Sequence, residues 1–340
     1  MAYIALSKSN FFHNLSLIEK RVGDKGKIAV VLKDNAYGHG VCEIASLSQE
    51  YGITKAVVKD EREANEIIKY FSQIITLQNV PHAVHPKISQ IVNCVKDLNN
   101  IAPNSKIELK VDTGMHRNGI LENELEQTLD SIVSKELVLN GVMTHFSSAD
   151  MLGNSVFLQL ESFKRVREKV IILCQKLALP LPLFHCCNSG ATFRLNEHFD
   201  MARVGIGIYG YTDYDKALEL APDLRPVMSL YAKKLSSRKL DKGEQVGYSG
   251  AYELEKEALI STYDIGYGDG FFRLNENHDY ITPSGVKILG KVSMDSFGAS
   301  GEEEELCVFD DVRTLAHMGS TITYDILAKL HNYIPKKIIH

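Results

Sequence analysis

One lysine stands at the end of a short apolar run: Ile28-Ala29-Val30-Val31-Leu32-Lys33. Tyr37 follows four residues on, then the turn Gly38-His39-Gly40. A lysine is seldom fully buried unless something needs it, although a long side chain can also snorkel to solvent. A partly buried amine has a lowered pKa and can form a Schiff base with a carbonyl. Further along, polar residues end other apolar runs: Lys110-Val111-Asp112-Thr113-Gly114-Met115-His116-Arg117, then His145, His185, Asn188-Ser189-Gly190 and Arg203-Val204-Gly205-Ile206-Gly207. Ser189-Gly190 and Gly205-Ile206-Gly207 offer hydroxyl and backbone N–H donors with no bulky side chain in the way, as phosphate-holding loops do. A Schiff-base lysine beside a phosphate cradle implies pyridoxal phosphate. Taken singly each stretch is weak, since a strand-end histidine is more often a hydrogen-bonded structural residue and a lone Gly-x-Gly more often a tight turn.

The elements that must position these residues alternate. Strand patterns fall at Ile28–Leu32, Lys55–Val58, Ile74–Leu77, Lys106–Val111 (polar at alternate positions), Leu137–Phe146, Leu183–Cys187 and Val204–Tyr209. Helical periods fall at Ser7–Arg21, Val41–Tyr51, Asp60–Phe71, Leu121–Val133 and Ser155–Leu177. Strands alternating with helices imply a parallel sheet, and the unit count over this length favours a closed (β/α)8 TIM-type barrel over an open sheet. Polar strand ends would then share one mouth. After Pro222 the texture changes to short strand-like runs at Pro226–Leu240, Gln245–Gly250, Ala258–Tyr263, Lys287–Met294 and Leu306–Phe309, with a late helix at Tyr324–Leu330. This reads as an all-β domain. The expected division is a barrel over 1–224 and a C-terminal β domain over 225–340, with residues 1–10 left to pair with the β domain.

A chain of 340 residues is long enough for one large or two moderate domains. A net charge of −5 gives no electrostatic footprint for nucleic acid or an anionic membrane. No run reaches the ~18 apolar residues of a membrane span, and the N-terminus has no signal-peptide pattern. The six cysteines lack Cys-x-x-Cys spacing and read as small buried hydrophobes in a reducing, cytoplasmic compartment, with no metal site.

Lys33-Asp34-Asn35-Ala36-Tyr37-Gly38-His39-Gly40 resembles the cofactor-lysine signature of the alanine racemases, and Gly266-Tyr267-Gly268-Asp269-Gly270 resembles a second motif of that family. The likeness runs in order from residue 28 to about 327. It implies pyridoxal phosphate, a barrel followed by a β domain, and a head-to-tail homodimer. Lys33 would carry the cofactor and act as one of two bases. Tyr248, in Val246-Gly247-Tyr248-Ser249 where the family has Val-Ser-Tyr-Gly, would be the second base, supplied by the partner chain. It lies nineteen residues before Tyr267, as the pattern requires. Tyr37, Ser189, Gly205 and Ile206 would hold the phosphate beside Asn188. Arg203 would face the pyridine nitrogen with His185 bracing it, and His145 would stack on the ring. Arg117 would meet the cofactor's phenolic oxygen and the substrate carboxylate, which Met294 and Asp295 would also contact from the partner. Tyr267 and Tyr324 would line the access passage. Lys110 matches a lysine that is carbamylated in some members.

The activity implied is interconversion of L- and D-alanine, supplying D-alanine for peptidoglycan. Two bases on opposite faces exchange the α-proton without turning the substrate. An arginine at the ring nitrogen leaves it unprotonated, which weakens the electron sink and favours racemisation over decarboxylation. The rivals are a serine or broad-spectrum racemase of the same fold and a non-catalytic pyridoxal-phosphate carrier, a barrel alone that needs no second base. Asp34 stands where alanine is usual; strand alternation predicts that it faces away from the lysine amine.

Overall fold

The computed structural model describes residues 1–78, 84–274 and 279–340. The chain divides into two compact units, one of residues 12–36 and 44–225, the other of residues 1–11, 37–43 and 226–340.

The first unit is built on eight parallel strands: β2 (Ile28–Val31), β3 (Lys55–Val58), β4 (Gln73–Thr76), β5 (Ile88–Val92), β6 (Lys106–Lys110), β7 (Val138–Met143), β8 (Leu183–His185) and β9 (Ala202–Val204). Their order is β8-β7-β6-β5-β4-β3-β2-β9, so the last strand returns to the first. Across the remaining seam Arg203 N–H donates to the Cys187 carbonyl at 2.9 Å, leaving a nearly closed barrel. Every residue of β2 is buried, as an apolar run covered on both faces requires. Helices Val41–Tyr51, Glu61–Ile67, Leu125–Ser134 and Ser155–Lys176 fall between strands. The last buries Val156, Leu160, Phe163, Val166, Val170 and Leu173, a stripe at helical spacing.

The second unit hangs on one thirteen-residue strand, β10 (Met228–Leu240). Its first half pairs with β1 (Tyr3–Ser7) on one edge and β16 (Glu305–Phe309) on the other; its second half pairs with β13 (Ala258–Tyr263). Burial alternates from Met228 to Ala232, the period-2 signature of a strand with one face in a core. β1 also pairs in parallel with the terminal strand β17 (Lys336–Ile339), and β15 (Phe297–Ser300) and β14 (Ile288–Leu289) extend the far edge.

Four sequence readings need correction. Val204–Tyr209 is not one strand: β9 stops at Val204, Gly205 turns the chain at φ −108°, ψ −100°, and Ile206–Tyr209 form a 3₁₀ turn. All four are buried, and Tyr209 Oη donates to the Val31 carbonyl, so the apolar run serves packing rather than pairing. Gln245–Gly250 is a two-residue strand followed by a 3₁₀ turn at Tyr248–Gly250. Lys287–Met294 contributes only Ile288–Leu289 to the sheet. The cysteines are not uniformly buried: Cys42 and Cys94 are exposed, and all six are free thiols.

Candidate active site

Lys33 follows β2, and the next residues do something sequence alone does not announce. Asp34, Asn35 and Ala36 have φ/ψ of 52°/54°, 54°/46° and 53°/49°, and Tyr37 has φ 52°. This is a left-handed turn of four non-glycine residues, costing roughly 1–2 kcal/mol per residue. Asp and Asn tolerate that region; Ala and Tyr do not. The turn is clamped from the helix Glu61–Ile67: Glu63 accepts from Asn35 N at 3.0 Å through one oxygen and from Lys59 N at 2.8 Å through the other. Such local strain, held by surrounding bonds, gathers at functional sites. Within the same turn Asp34 Oδ1 meets Lys59 Nζ at 2.8 Å, while its Oδ2 lies 3.9 Å from Lys33 Nζ. The expectation that Asp34 faces away is therefore wrong: the strand ends at Val31, so its alternation does not reach Lys33 and Asp34.

The other strand ends of the barrel carry a dense positive charge. Burial, then Arg203, Arg117, Lys110 and Lys33, push His145 down to about 3, so its imidazole is neutral. Burial, then Arg117 and Arg203, lower Lys110 to about 8 against the pull of Asp112. Burial opposes ionisation of Asp112, but N–H donation from Gly114, His116 and Met115 at 2.9–3.1 Å outweighs it and holds the carboxyl below its ordinary range. That fold of the loop carries Arg117.

Arg203 is buried and fully engaged at its two terminal nitrogens. Nη1 donates to His185 Nδ1 at 2.7 Å and to the His185 carbonyl at 3.0 Å; Nη2 donates to the Thr144 carbonyl at 2.7 Å and the Cys186 carbonyl at 3.5 Å. His185 Nε2 in turn lies 3.0 Å from Glu108 Oε2. Asn188 Oδ1 caps the helix Ser189–Arg194 by accepting from Ala191 N at 2.9 Å. Ser189 Oγ accepts from Gly205 N at 3.0 Å and Gly207 N at 3.1 Å. With both lone pairs occupied, the Ser189 hydroxyl is left as a donor. The Gly205 N–H, expected to meet a phosphate directly, donates here to Ser189.

The remaining predicted residues belong to the second unit. Tyr37 and Tyr324 rings lie 5.7 Å apart at 52°. Gly38 is needed there, because a Cβ would collide with the Leu327 carbonyl. Tyr248 is 64% exposed on a short hairpin between Val246 and Tyr252, flanked by Gly247 at φ 79° and Ser249 at φ 61°. Tyr267 N–H donates to Ser293 O at 3.1 Å and Gly268 N–H to Met294 O at 2.8 Å, which ties Tyr267 to the exposed Met294-Asp295 pair. The Arg273 guanidinium covers the Tyr267 ring at 5.4 Å.

The structure thus sets the charges of Lys33, Lys110, Arg117 and Arg203 on His145, and gathers Tyr267, Met294 and Asp295 by backbone bonds in the other unit. Sequence reasoning missed Glu63, Glu108 and Thr144. The alternation Lys106, Glu108, Lys110 along β6 was the available signal for Glu108, since alternate residues share a face. Among the described residues no group of three or more metal-ligating side chains clusters, and no helix is long and apolar enough to cross a membrane.

Comparison with known proteins agrees with this picture. The family described as "Alanine racemase, N-terminal domain" matches residues 6–213, and "Alanine racemase, C-terminal domain" matches residues 227–340. A protein named alanine racemase from a Nitratiruptor species is 43% identical over 99% of both chains. Another from Campylobacter concisus is 41% identical over 100% of both. The crystal structure of alanine racemase from E. faecalis superposes with a TM-score of 0.86 at 26% identity, covering 99% of this chain and 98% of that one.

Proposed function

Because this chain belongs to the alanine racemase family, we propose that it interconverts L- and D-alanine with pyridoxal phosphate held on Lys33. The observation that carries the reading is the charge at the barrel's strand ends. Four cations, Lys33, Lys110, Arg117 and Arg203, act on one neutral, enclosed histidine, and Asp112 offsets part of that charge at Lys110. That environment suits a ligand bearing a phosphate, a phenolate oxygen and a substrate carboxylate together. The donor set fits as well, with the Ser189 hydroxyl free to donate and Arg203 able only to donate.

When bound, the cofactor supplies an electron-withdrawing ring conjugated to the substrate nitrogen, which acidifies the α-proton. Lys33 holds the group through its amine and moves the proton on one face. Tyr248 of a second copy moves it on the other, in a head-to-tail dimer of barrels (1–224) completed by β domains (225–340). The exposure of Tyr248, Tyr267 and Met294 in the single chain supports this, because a tyrosine works as a base only where its pKa is brought down from near 10. Arg203, always protonated, keeps a proton off the ring nitrogen, and His185 holds its guanidinium. His145, neutral, offers a flat face to the ring. Tyr37, Ser189 and Ile206, beside Asn188, hold the phosphate, with Gly205 N–H orienting the Ser189 hydroxyl toward it, and Tyr324 packs on Tyr37. Arg117, Met294 and Asp295 hold the substrate carboxylate, and Tyr267 lines the approach. Lys110, with its pKa near 8, is partly neutral at physiological pH and open to carbamylation by CO2. On this reading the enzyme works in the cytoplasm and supplies D-alanine for peptidoglycan.

The test is the absorbance of the purified protein with turnover of alanine, serine and larger amino acids. A cofactor band abolished by Lys33→Ala, with alanine turned over fastest, is expected. A protein without the band would overturn the reading, and faster turnover of serine would transfer it to another substrate.

A further inference from the structure

We infer that Glu108 is a positioning residue for Arg203, acting through His185: the acceptor oxygen of Glu108 on β6 fixes the histidine tautomer, and that tautomer fixes the guanidinium. The inference deepens the reading of Arg203 given above and rests on it.

The argument runs along one line of heavy atoms. An arginine only donates. Arg203 Nη1 lies 2.7 Å from His185 Nδ1, so Nδ1 must present a lone pair. A ring with its lone pair on Nδ1 carries its proton on Nε2. That Nε2–H points at Glu108 Oε2, 3.0 Å away, which must accept it. The second carboxylate oxygen accepts from Asn140 Nδ2 at 2.6 Å. Both oxygens thus act as acceptors, one for Asn140 and one for the His185 Nε2–H. Glu108 and His185 are each 0% exposed and Arg203 is 5% exposed, so no solvent stands in for a lost partner.

Two further observations agree. Gly141, beside Glu108 on the neighbouring strand, makes the room: a Cβ there would collide with Glu108 Oε2 and approach His185 Nε2 to 3.0 Å. Burial also lowers the His185 pKa, with Arg203 adding to it and Glu108 and Asp200 opposing, so the ring stays neutral. The neutral imidazole spaces the carboxyl group from the guanidinium. A direct carboxylate fork would engage two guanidinium nitrogens at once. Here the four N–H bonds of Nη1 and Nη2 are set by His185, Thr144 and Cys186, and Nε–H is the donor outside that set among the described residues. Glu108 therefore holds the aim of Arg203 without occupying it.

The experiment is nitrogen NMR of histidine-labelled holoprotein, with His185 assigned through His185→Asn, alongside kinetics and the pH dependence of the cofactor band. In the parent protein His185 is expected as the neutral Nε2–H tautomer across the range where an ordinary histidine titrates. Glu108→Leu should mix the tautomers, shift the pH dependence of the band, and lower kcat about 10- to 100-fold, the range in which outer partners of functional histidines act. KM for alanine should change less than about threefold, as for an interaction made mainly in the transition state. Glu108→Gln keeps an acceptor oxygen and should recover the tautomer and much of kcat. If Glu108→Leu does not fold, Gly141→Ala carries the test by driving the carboxylate off His185. Unchanged tautomer, band and pH profile in the folded variants would overturn the inference. A parent protein lacking the cofactor band would instead overturn the racemase reading, while the tautomer measurement on that protein still decides the role of Glu108.

Discussion

The strand ends of the barrel, on one side, and the Tyr248 turn and Tyr267–Met294 segment of the β domain, on the other, hold parts of one proposed reaction, yet they are built in opposite ways. In the barrel the candidate residues around Arg203 are buried and tied by direct bonds, Arg203 to His185 and to the Thr144 and Cys186 carbonyls and His185 to Glu108, while Glu63 clamps the turn after the half-buried Lys33. In the β domain Tyr248 and Met294 are 64% and 54% exposed, and the bonds that tie Tyr267 to Met294 are backbone ones. The first region fixes its charge before any substrate arrives, because burial makes each neighbouring cation count. The second has a fixed backbone but, among its described residues, no such field of cations of its own, and a tyrosine becomes a base where neighbouring positive charge favours its phenolate, since burial alone would oppose it.

The comparison breaks most visibly at Lys33. Lys33→Ala should abolish the cofactor band and lower turnover by about 10⁴-fold or more, since on the proposed reading it removes both an acid–base group and the cofactor's anchor. Retained band and turnover would show that the enclosed half does not run the chemistry. Next comes Tyr248→Phe, expected to keep the band and lose about 10²- to 10⁴-fold in racemisation. Mixing the two inactive variants sharpens the contrast. If the exposed half serves a second copy, each hybrid dimer regains one complete site, and a random mixture should recover about a quarter of parent activity. No recovery on subunit exchange would mean that each chain completes its own site.

Smaller effects probe the bracing. Glu63→Ala removes the shared acceptor of Asn35 and Lys59 and should cost about 1–3 kcal/mol in urea unfolding, with the holoprotein affected more than a surface control. The smallest effect concerns pH. Between about 8 and the ordinary lysine value the unfolded chain keeps a proton on Lys110 that the folded chain releases. Stability therefore rises with pH across that window, and the contribution is lost as pH falls through 8. Lys110→Met should flatten that slope in CO2-free buffer, as read from unfolding curves; an unchanged slope would place the titration elsewhere.

Much of this was legible in the residues. Val41–Tyr51, Lys55–Val58 and Ala258–Tyr263 form the elements their periods imply, residue for residue. Period, though, cannot tell a buried strand from a buried turn, so Ile206–Tyr209 reads as strand although Gly205 turns the chain before it. β5 went unread because Ile88–Val92 carries polar Ser89 and Gln90 inside a buried strand. The left-handed turn was hidden for a different reason. Nothing about Ala36 or Tyr37 favours positive φ; the clamp comes from Glu63, 28 residues beyond Asn35. The buried neighbours of Arg203 were equally out of reach, because Glu108 and His185 lie 77 residues apart.

The space at Gly141 has a consequence for how such chains can drift. Positions 108 and 141 share one volume, filled here by a carboxylate where a methyl group would have to go. The constraint runs one way: a side chain at 141 demands something shorter than glutamate at 108, or a carboxylate turned away from His185, whereas position 108 can shorten by itself. Among relatives, the lineages that keep glycine at 141 should therefore be those free to keep glutamate at 108 turned toward His185.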